Sequence, residues 1–282
     1  MLKFFALALG LTLMNTAWAG PKQDTFRVCA DPLHPPYSTR EQSGFENKIA
    51  ELFAKKLGQT VAYTWFPERI GFIRNTLMAT IDDTDTYRCD VVMGVPAGYD
   101  RTLTTQPYFH STYVLLIAQN RGWDDINEPR QLAELPLKRQ NRLKIAMFDR
   151  GPGTQWLQRQ GLLDQGIPYQ TMSGDHEHNI AMRIDEDMRA GLIDMAILWG
   201  PLAGHVLDQS PEGSYQALPM ISSPGMKFDF SIAMGVRYGD KARQQQLNRL
   251  IETNQAQINA ILREYHFPLL PIPAVQPRQD DD

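Results

Sequence analysis

Cysteine is scarce in this chain: two residues, Cys29 and Cys89, in a length of 282. Two cysteines without a clustered histidine do not make a zinc site. Basic charge is not in excess either, with 28 Lys+Arg against 32 Asp+Glu and a net charge of −4. A chain of that balance lacks the basic footprint that nucleic acid requires. Beyond the amino terminus no apolar run reaches the ~18 residues of a spanning helix, so no stable membrane insertion is expected. A hydrophobic fraction of 43% with 21% charged residues excludes a disordered chain. There is no nucleophile elbow, no HExxH and no triad spacing, and no P-loop or GxGxxG. No catalytic residue is assigned and no enzyme is expected. Glu46 and Glu68 are the carboxyls with acid–base potential, and nothing in their spacing singles them out. Nineteen Pro and twenty Gly fit a loop-rich globular protein.

The first residues read as an address. Lys3 is the only charge before Lys22, Phe4 to Met14 is an apolar run, and Ala17-Trp18-Ala19 is a small-x-small site followed by Gly20. That is a secretory signal peptide over residues 1–19, cleaved after Ala19. The run is about half the ~20 residues of a membrane span. In an exported chain Cys29 and Cys89 have two fates, a disulfide or two buried thiols.

Two α/β series follow. Phe26–Ala30, Val61–Phe66 and Asp90–Val95 read as strands, and Phe45–Leu57 and Ile70–Ala79 as helices between them. Gly58 is the stop of the first helix. This β-α-β-α-β order signals a parallel sheet with covering helices. After the apolar strand Thr112–Ala118 a second series has strands at Leu143–Phe148, Pro168–Met172 and Asp194–Leu198, with helices at Gln155–Gly161 and Asn179–Ala190. Phe230–Val236 reads as a strand and Gln244–Tyr265 as a long amphipathic helix. The expected organisation is lobe 1 at 20–114 and 235–270, lobe 2 at 115–234, and a disordered tail at 271–282.

In open α/β sheets ligands sit beyond the carboxyl ends of the strands. The loops at those ends carry Asp31, His34 and Tyr37; then Glu68 and Arg69; then Tyr99 and Arg101; then Arg150 and Thr154; then Trp199. Aromatics with a few polar groups suit a small-molecule or partner cleft, although large aromatics are more often core. Arg150-Gly151-Pro152-Gly153-Thr154 is the most suggestive anion site, with glycines for close approach and Thr154 as a helix cap. A plain tight turn into a capped helix explains it equally well. His176-Glu177-His178 and the acidic run Asp82, Asp83 and Asp85 read as solvated loops, and no metal site is assigned.

A resemblance adds to this reading. Gly44-Phe45-Glu46-Asn47-Lys48-Ile49-Ala50-Glu51-Leu52, Pro107-Tyr108-Phe109 and Gly191-Leu192-Ile193-Asp194 resemble landmarks of type II (family 3) periplasmic solute-binding proteins, in order. The resemblance implies an α/β, two-lobe venus-flytrap fold in the periplasm. Amino-acid binders of that family grip the ligand with an Arg after the third strand and an Asp after a later strand. Here Arg101 sits in a shortened stretch and Trp199 stands in the place of the Asp, which speaks against amino-acid binding. Arg27-Val28-Cys29-Ala30-Asp31-Pro32, Arg74-Asn75-Thr76-Leu77 and Cys89-Asp90-Val91-Val92-Met93-Gly94-Val95-Pro96-Ala97-Gly98-Tyr99 resemble a narrower group, the quinoprotein-dehydrogenase-associated MoxJ/XoxJ branch. Both cysteines belong to these motifs, which supports their pairing. The branch implies an accessory of the methanol oxidation system that assists assembly or activation of a PQQ-dependent methanol dehydrogenase. No cofactor of its own is implied; PQQ is a ligand it would handle, with Arg69, Arg101 and Arg150 as anchors. The second reading is a receptor that delivers a small non-amino-acid ligand to an ABC importer.

Overall fold

The computed structural model describes residues 25–170 and 180–273. The expected signal peptide, the His176-Glu177-His178 triplet and residues 274–282 of the expected tail lie outside the described residues. The first series runs β1 (Thr25–Ala30), β2 (Leu33–His34), β3 (Ser38–Thr39), α1 (Phe45–Leu57), β4 (Thr60–Trp65), α2 (Phe72–Asn75), β5 (Val91–Pro96) and β6 (Leu103–Thr104). Next come β7 (Phe109–Ala118), α3 (Gln131–Glu134), α4 (Leu137–Gln140), β8 (Ile145–Phe148), α5 (Pro152–Arg159), β9 (Gly166–Tyr169), α6 (Ile180–Arg189), β10 (Met195–Trp199), α7 (Gly200–Asp208) and β11 (Tyr215–Pro219). β12 (Asp229–Val236) and α8 (Lys241–Arg263) complete the order.

The strands lie in the order β4-β1-β5-β12-β7-β10-β8-β9. β1 is parallel to β4 and β5, and β8 is parallel to β9 and β10. Between these two parallel blocks β7 and β12 run antiparallel. β7 changes partner part-way along. Phe109–Thr112 pair with β12, whereas Tyr113–Ile117 pair with β10 and Val114–Ala118 with β11. Its side chains then alternate as a sheet covered on both faces requires: Leu115 and Ile117 enter one core, Val114 and Leu116 another. The expected α/β two-lobe architecture is present.

Three expected elements differ. The helix expected at Ile70–Ala79 is reduced to α2. Gly71 has φ +93° just before it, and the Thr76 hydroxyl turns back to donate to the Phe72 carbonyl at 2.7 Å. The helix expected at Gln155 starts at Pro152, with Gly151 at its cap position; Pro suits that first turn because its missing N–H has no partner there anyway. The segment after Leu198, read as a loop, is α7, which leaves β10 directly and again carries Pro201 in its first turn. β11 has no counterpart in the sequence reading.

The first lobe is pinned where β1 and β5 pair. Cys29 and Cys89 form a disulfide with their Cα atoms 5.4 Å apart, packed with Phe72, Leu77 and Val92. Beside it Asp90 accepts from Arg27 Nε and Nη2 at 2.9 Å each, and from Arg237 Nη2 at 2.8 Å. Burial raises the Asp90 pKa, and the two guanidiniums overcome it, holding the carboxyl below its usual range. Replacing both cysteines by Ser removes a cross-link between residues 60 positions apart, for which chain entropy gives a loss of roughly 4 kcal/mol. Urea unfolding of the oxidised protein and the Cys29→Ser/Cys89→Ser variant checks this: the variant midpoint should fall, and an unchanged midpoint contradicts it.

Candidate functional site

Because β1, β4 and β5 are parallel neighbours, their carboxyl ends meet on one side, and a small cavity of about 180 Å³ lies there. Asp31 leaves β1 and staples two loops together. Its Oδ1 accepts the Leu33 N–H at 2.8 Å and its Oδ2 the Glu68 N–H at 2.6 Å. The β2–β3 hairpin supplies His34 and Tyr37, whose rings stack with centroids 4.5 Å apart. The loop after β4 supplies Glu68, whose Oε2 lies 3.2 Å from His34 Nε2. From the second lobe Trp199, at the end of β10, closes the wall. Its ring packs on Tyr113 and Phe230 at 5.5 and 5.9 Å.

The start of α1 places the remaining group. Gly44 lies so close to the Tyr37 backbone that a Cβ there would sit 2.1 Å from the Tyr37 carbonyl oxygen. That approach lets the Glu46 N–H donate to the same carbonyl at 2.9 Å. Asn47 Oδ1 reaches back to accept the Gly44 N–H at 3.1 Å and the Thr39 N–H at 3.0 Å. With the helix start fixed this way, Glu46 points into the chamber and lies over β5. A Cβ on Gly94 would meet Glu46 Oε1 at 2.2 Å, so Gly94 leaves room for the carboxyl. No hydrogen bond or cation reaches that carboxyl among the described residues. Burial pushes the Glu46 pKa from 4.5 up to about 8, and the nearby Glu68 adds to the rise.

Of the residues singled out in the sequence, Asp31, His34, Tyr37, Glu68 and Trp199 share this chamber. Glu68, Arg69, Tyr99 and Arg101 line an adjoining groove of about 540 Å³, to which Arg74 also contributes. Chamber and groove share Glu68, Phe72, Val92, Gly94, Val95 and Pro96. Arg150 and Thr154 belong to neither. Arg150 is exposed. Thr154 is not the helix cap: it lies inside α5, and its hydroxyl donates to the Phe148 carbonyl and to Met147 Sδ. Gly153 has a packing reason, since a Cβ there would meet the Ile197 side chain at 2.9 Å. Glu46, which the sequence offered only as one carboxyl among several, is the most perturbed acid of the chamber. The signal for it lay in the Gly44-Phe45-Glu46 start of a helix facing a glycine-bearing strand.

No family model matches the chain. Protein MoxJ of Methylorubrum extorquens is 28% identical over 268 residues, covering 90% of this chain and 84% of that protein. Protein MoxJ of Paracoccus denitrificans is 26% identical, covering 94% of this chain and 95% of its own length. The crystal structure of the periplasmic binding protein XoxJ from Methylobacterium extorquens AM1 matches with a TM-score of 0.69 and 30% identity, over 87% of this chain and 99% of that one. The chain belongs to the MoxJ/XoxJ family of periplasmic binding proteins. In this MoxJ/XoxJ chain no Arg or Lys among the described residues lines the chamber, and Arg101 is exposed in the groove outside it. A ligand carboxylate therefore finds no guanidinium inside.

The state of Glu46 predicts a pH signature. The folded chain keeps its proton to about pH 8, whereas the ordinary value for the group is 4.5. The folded state thus binds more protons than the unfolded one between those values, and this group's contribution to stability falls as pH rises through that window. Glu46→Gln removes the fall. The variant should gain in urea midpoint over wild type at pH 8 and gain little at pH 4.5; equal shifts at both pH values contradict the assignment.

Proposed function

We propose that this MoxJ/XoxJ chain is an exported periplasmic accessory of the methanol oxidation system that assists assembly or activation of a PQQ-dependent methanol dehydrogenase. The amino-terminal leader delivers it to the periplasm. The family membership supports the reading, and one structural observation carries it: the cleft lacks the paired charges that hold an amino acid, with Trp199 closing the chamber and Arg101 outside it. The role is that of a binding protein and not of an enzyme.

The partner surface we assign is the groove beside the chamber. Ile70 is 89% exposed on its rim, and Gly71 turns the chain immediately after it with φ +93°. Arg69, Arg74 and Arg101 surround an apolar base that includes Phe72 and Val95. An exposed apolar side chain set among arginines matches the anchors that recur at protein interfaces. The same guanidiniums suit the carboxylates of PQQ, which makes cofactor handling a second reading of this groove.

Co-purification of the mature protein from periplasm of methanol-grown cells should retain the dehydrogenase. Ile70→Asp should weaken retention by roughly tenfold or more, the size of a single interface anchor. No retained dehydrogenase, together with normal dehydrogenase activity in a deletion strain, overturns the reading. Retention that depends on added PQQ and is lost in Arg69→Ala/Arg101→Ala moves the role of the groove from partner to cofactor.

A further inference from the structure

The chamber holds an acid that no cation among the described residues neutralises. Its wall offers Asp31, Glu46 and Glu68 against a single His34, with no Lys or Arg. Two of the three carboxyls are engaged. Asp31 spends both oxygens on backbone N–H groups, and Glu68 lies against His34. Glu46 is left half-buried on the cavity wall, without a hydrogen-bond partner among the described residues. Around it stand the aromatic rings of Tyr37, Phe109 and Trp199. We propose that the chamber is a binding site for a small organic monocation, an alkylammonium of a few heavy atoms, whose charge is taken by Glu46 and whose alkyl part lies against the aromatic walls.

The chemistry rests on the groups present. An unpaired carboxyl in a low-dielectric site is stabilised most by an opposite charge within reach, and aromatic faces attract cations. A cavity of about 180 Å³ admits a compact ligand only. Calcium takes six to eight oxygens, and no group of three ligating side chains is placed for a metal among the described residues. An anion would meet three acidic residues and no guanidinium. An amino acid would bring a carboxylate with nothing to receive it. The titratable groups facing Glu46 are Glu68 from the loop after β4, Tyr37 from the hairpin and Tyr108 from the segment before β7. Tyr63 on β4 also faces its charge. None of these supplies a positive charge. Near neutral pH Glu46 carries its proton, so an arriving cation displaces it, and binding releases about one proton per cation.

Isothermal titration of the mature protein with methylammonium, ethylammonium and tetramethylammonium chlorides at constant ionic strength tests this, in two pH 7 buffers that differ in ionisation enthalpy. The expected result is saturable binding of at least one of them, with a buffer-dependent heat that corresponds to proton release. Glu46→Gln should weaken that binding roughly tenfold to a hundredfold, the size of a charge-assisted contact, and abolish the buffer dependence. The urea measurement above tests that the variant keeps its fold, which separates loss of binding from loss of structure. No saturable heat with any of the three salts overturns the proposal. So does binding that Glu46→Gln leaves unchanged, tighter binding of glycine than of ethylammonium, or binding of calcium chloride in place of the ammonium salts. The outcome is independent of the dehydrogenase, because no partner enters the titration.

Discussion

Both parallel blocks depend on one antiparallel strand pair. β7 and β12 pass between the two parallel blocks, and the pairing of Phe109–Thr112 with Asp229–Ile232 sets their register. His110, buried at that crossing, has both ring nitrogens occupied: Nδ1 lies 2.9 Å from Ser231 Oγ and Nε2 lies 2.8 Å from Asp229 Oδ2. A slip of either strand by one residue turns these side chains to the opposite face and breaks both contacts. Alongside the crossing, α7 rests on the first lobe through glycines. A Cβ on Gly200 would meet Ser111 Oγ at 2.4 Å, and one on Gly204 would meet the Tyr265 carbonyl at 2.3 Å. The Ser111 hydroxyl donates to the Pro268 carbonyl at 2.6 Å, and the Leu270 N–H to the His110 carbonyl at 2.9 Å. The second lobe is therefore held by backbone contact along an edge, and not only by two connecting strands.

That placement gives the chamber its character. β10 can present Trp199 to Tyr37 only because the lobes meet at this edge, and the two rings belong to the cores on both sides. Charge is then sorted over a short distance. The inner space is acidic, the adjoining groove is rimmed by three arginines, and Glu68, Phe72 and Pro96 form the wall between them. Low-dielectric walls sharpen such a contrast. A molecule approaching from outside meets positive charge first and an uncharged Glu46 last.

The parts of the fold legible in the sequence were those with a strong local signal. α1 showed its apolar spacing and its glycine stop, and the buried strands β5, β7 and β10 showed continuous apolar runs. The elements that escaped had weak or misleading signals. The 70–79 segment has helical apolar spacing, but Gly71 and Thr76 close the helix after one turn. β11 (YQALP) is a short edge strand of mixed polarity whose partner β7 is about a hundred residues away, so only tertiary pairing makes it a strand. In the site, loop placement named Asp31, His34, Tyr37 and Glu68, which line one cavity because parallel strands bring their carboxyl ends together, and Trp199, which reaches the same cavity from the end of β10. It could not exclude Arg150, which is exposed outside the cavity, or Thr154, whose hydroxyl is spent on the Phe148 carbonyl and Met147 Sδ. Glu46 was hidden because its burial comes from Gly44 and Gly94, two missing side chains that no composition argument reveals.

The bridge between Cys29 and Cys89 has a further consequence for the integrity of the chain. Most of the first-lobe wall of the chamber lies inside that covalent loop: Asp31, the hairpin, the start of α1 and Glu68. Only β5 and later elements contribute to it from outside. The loop also contains a run of exposed residues, 81–88, the kind of site where proteases cut first. A nick in that run leaves both ends tied through sulfur, so the acidic half of the chamber stays attached to the body of the protein. In the compartment to which the chain is addressed, where proteases act and nothing replaces a damaged backbone, the cross-link is a means of surviving cleavage as well as a source of stability.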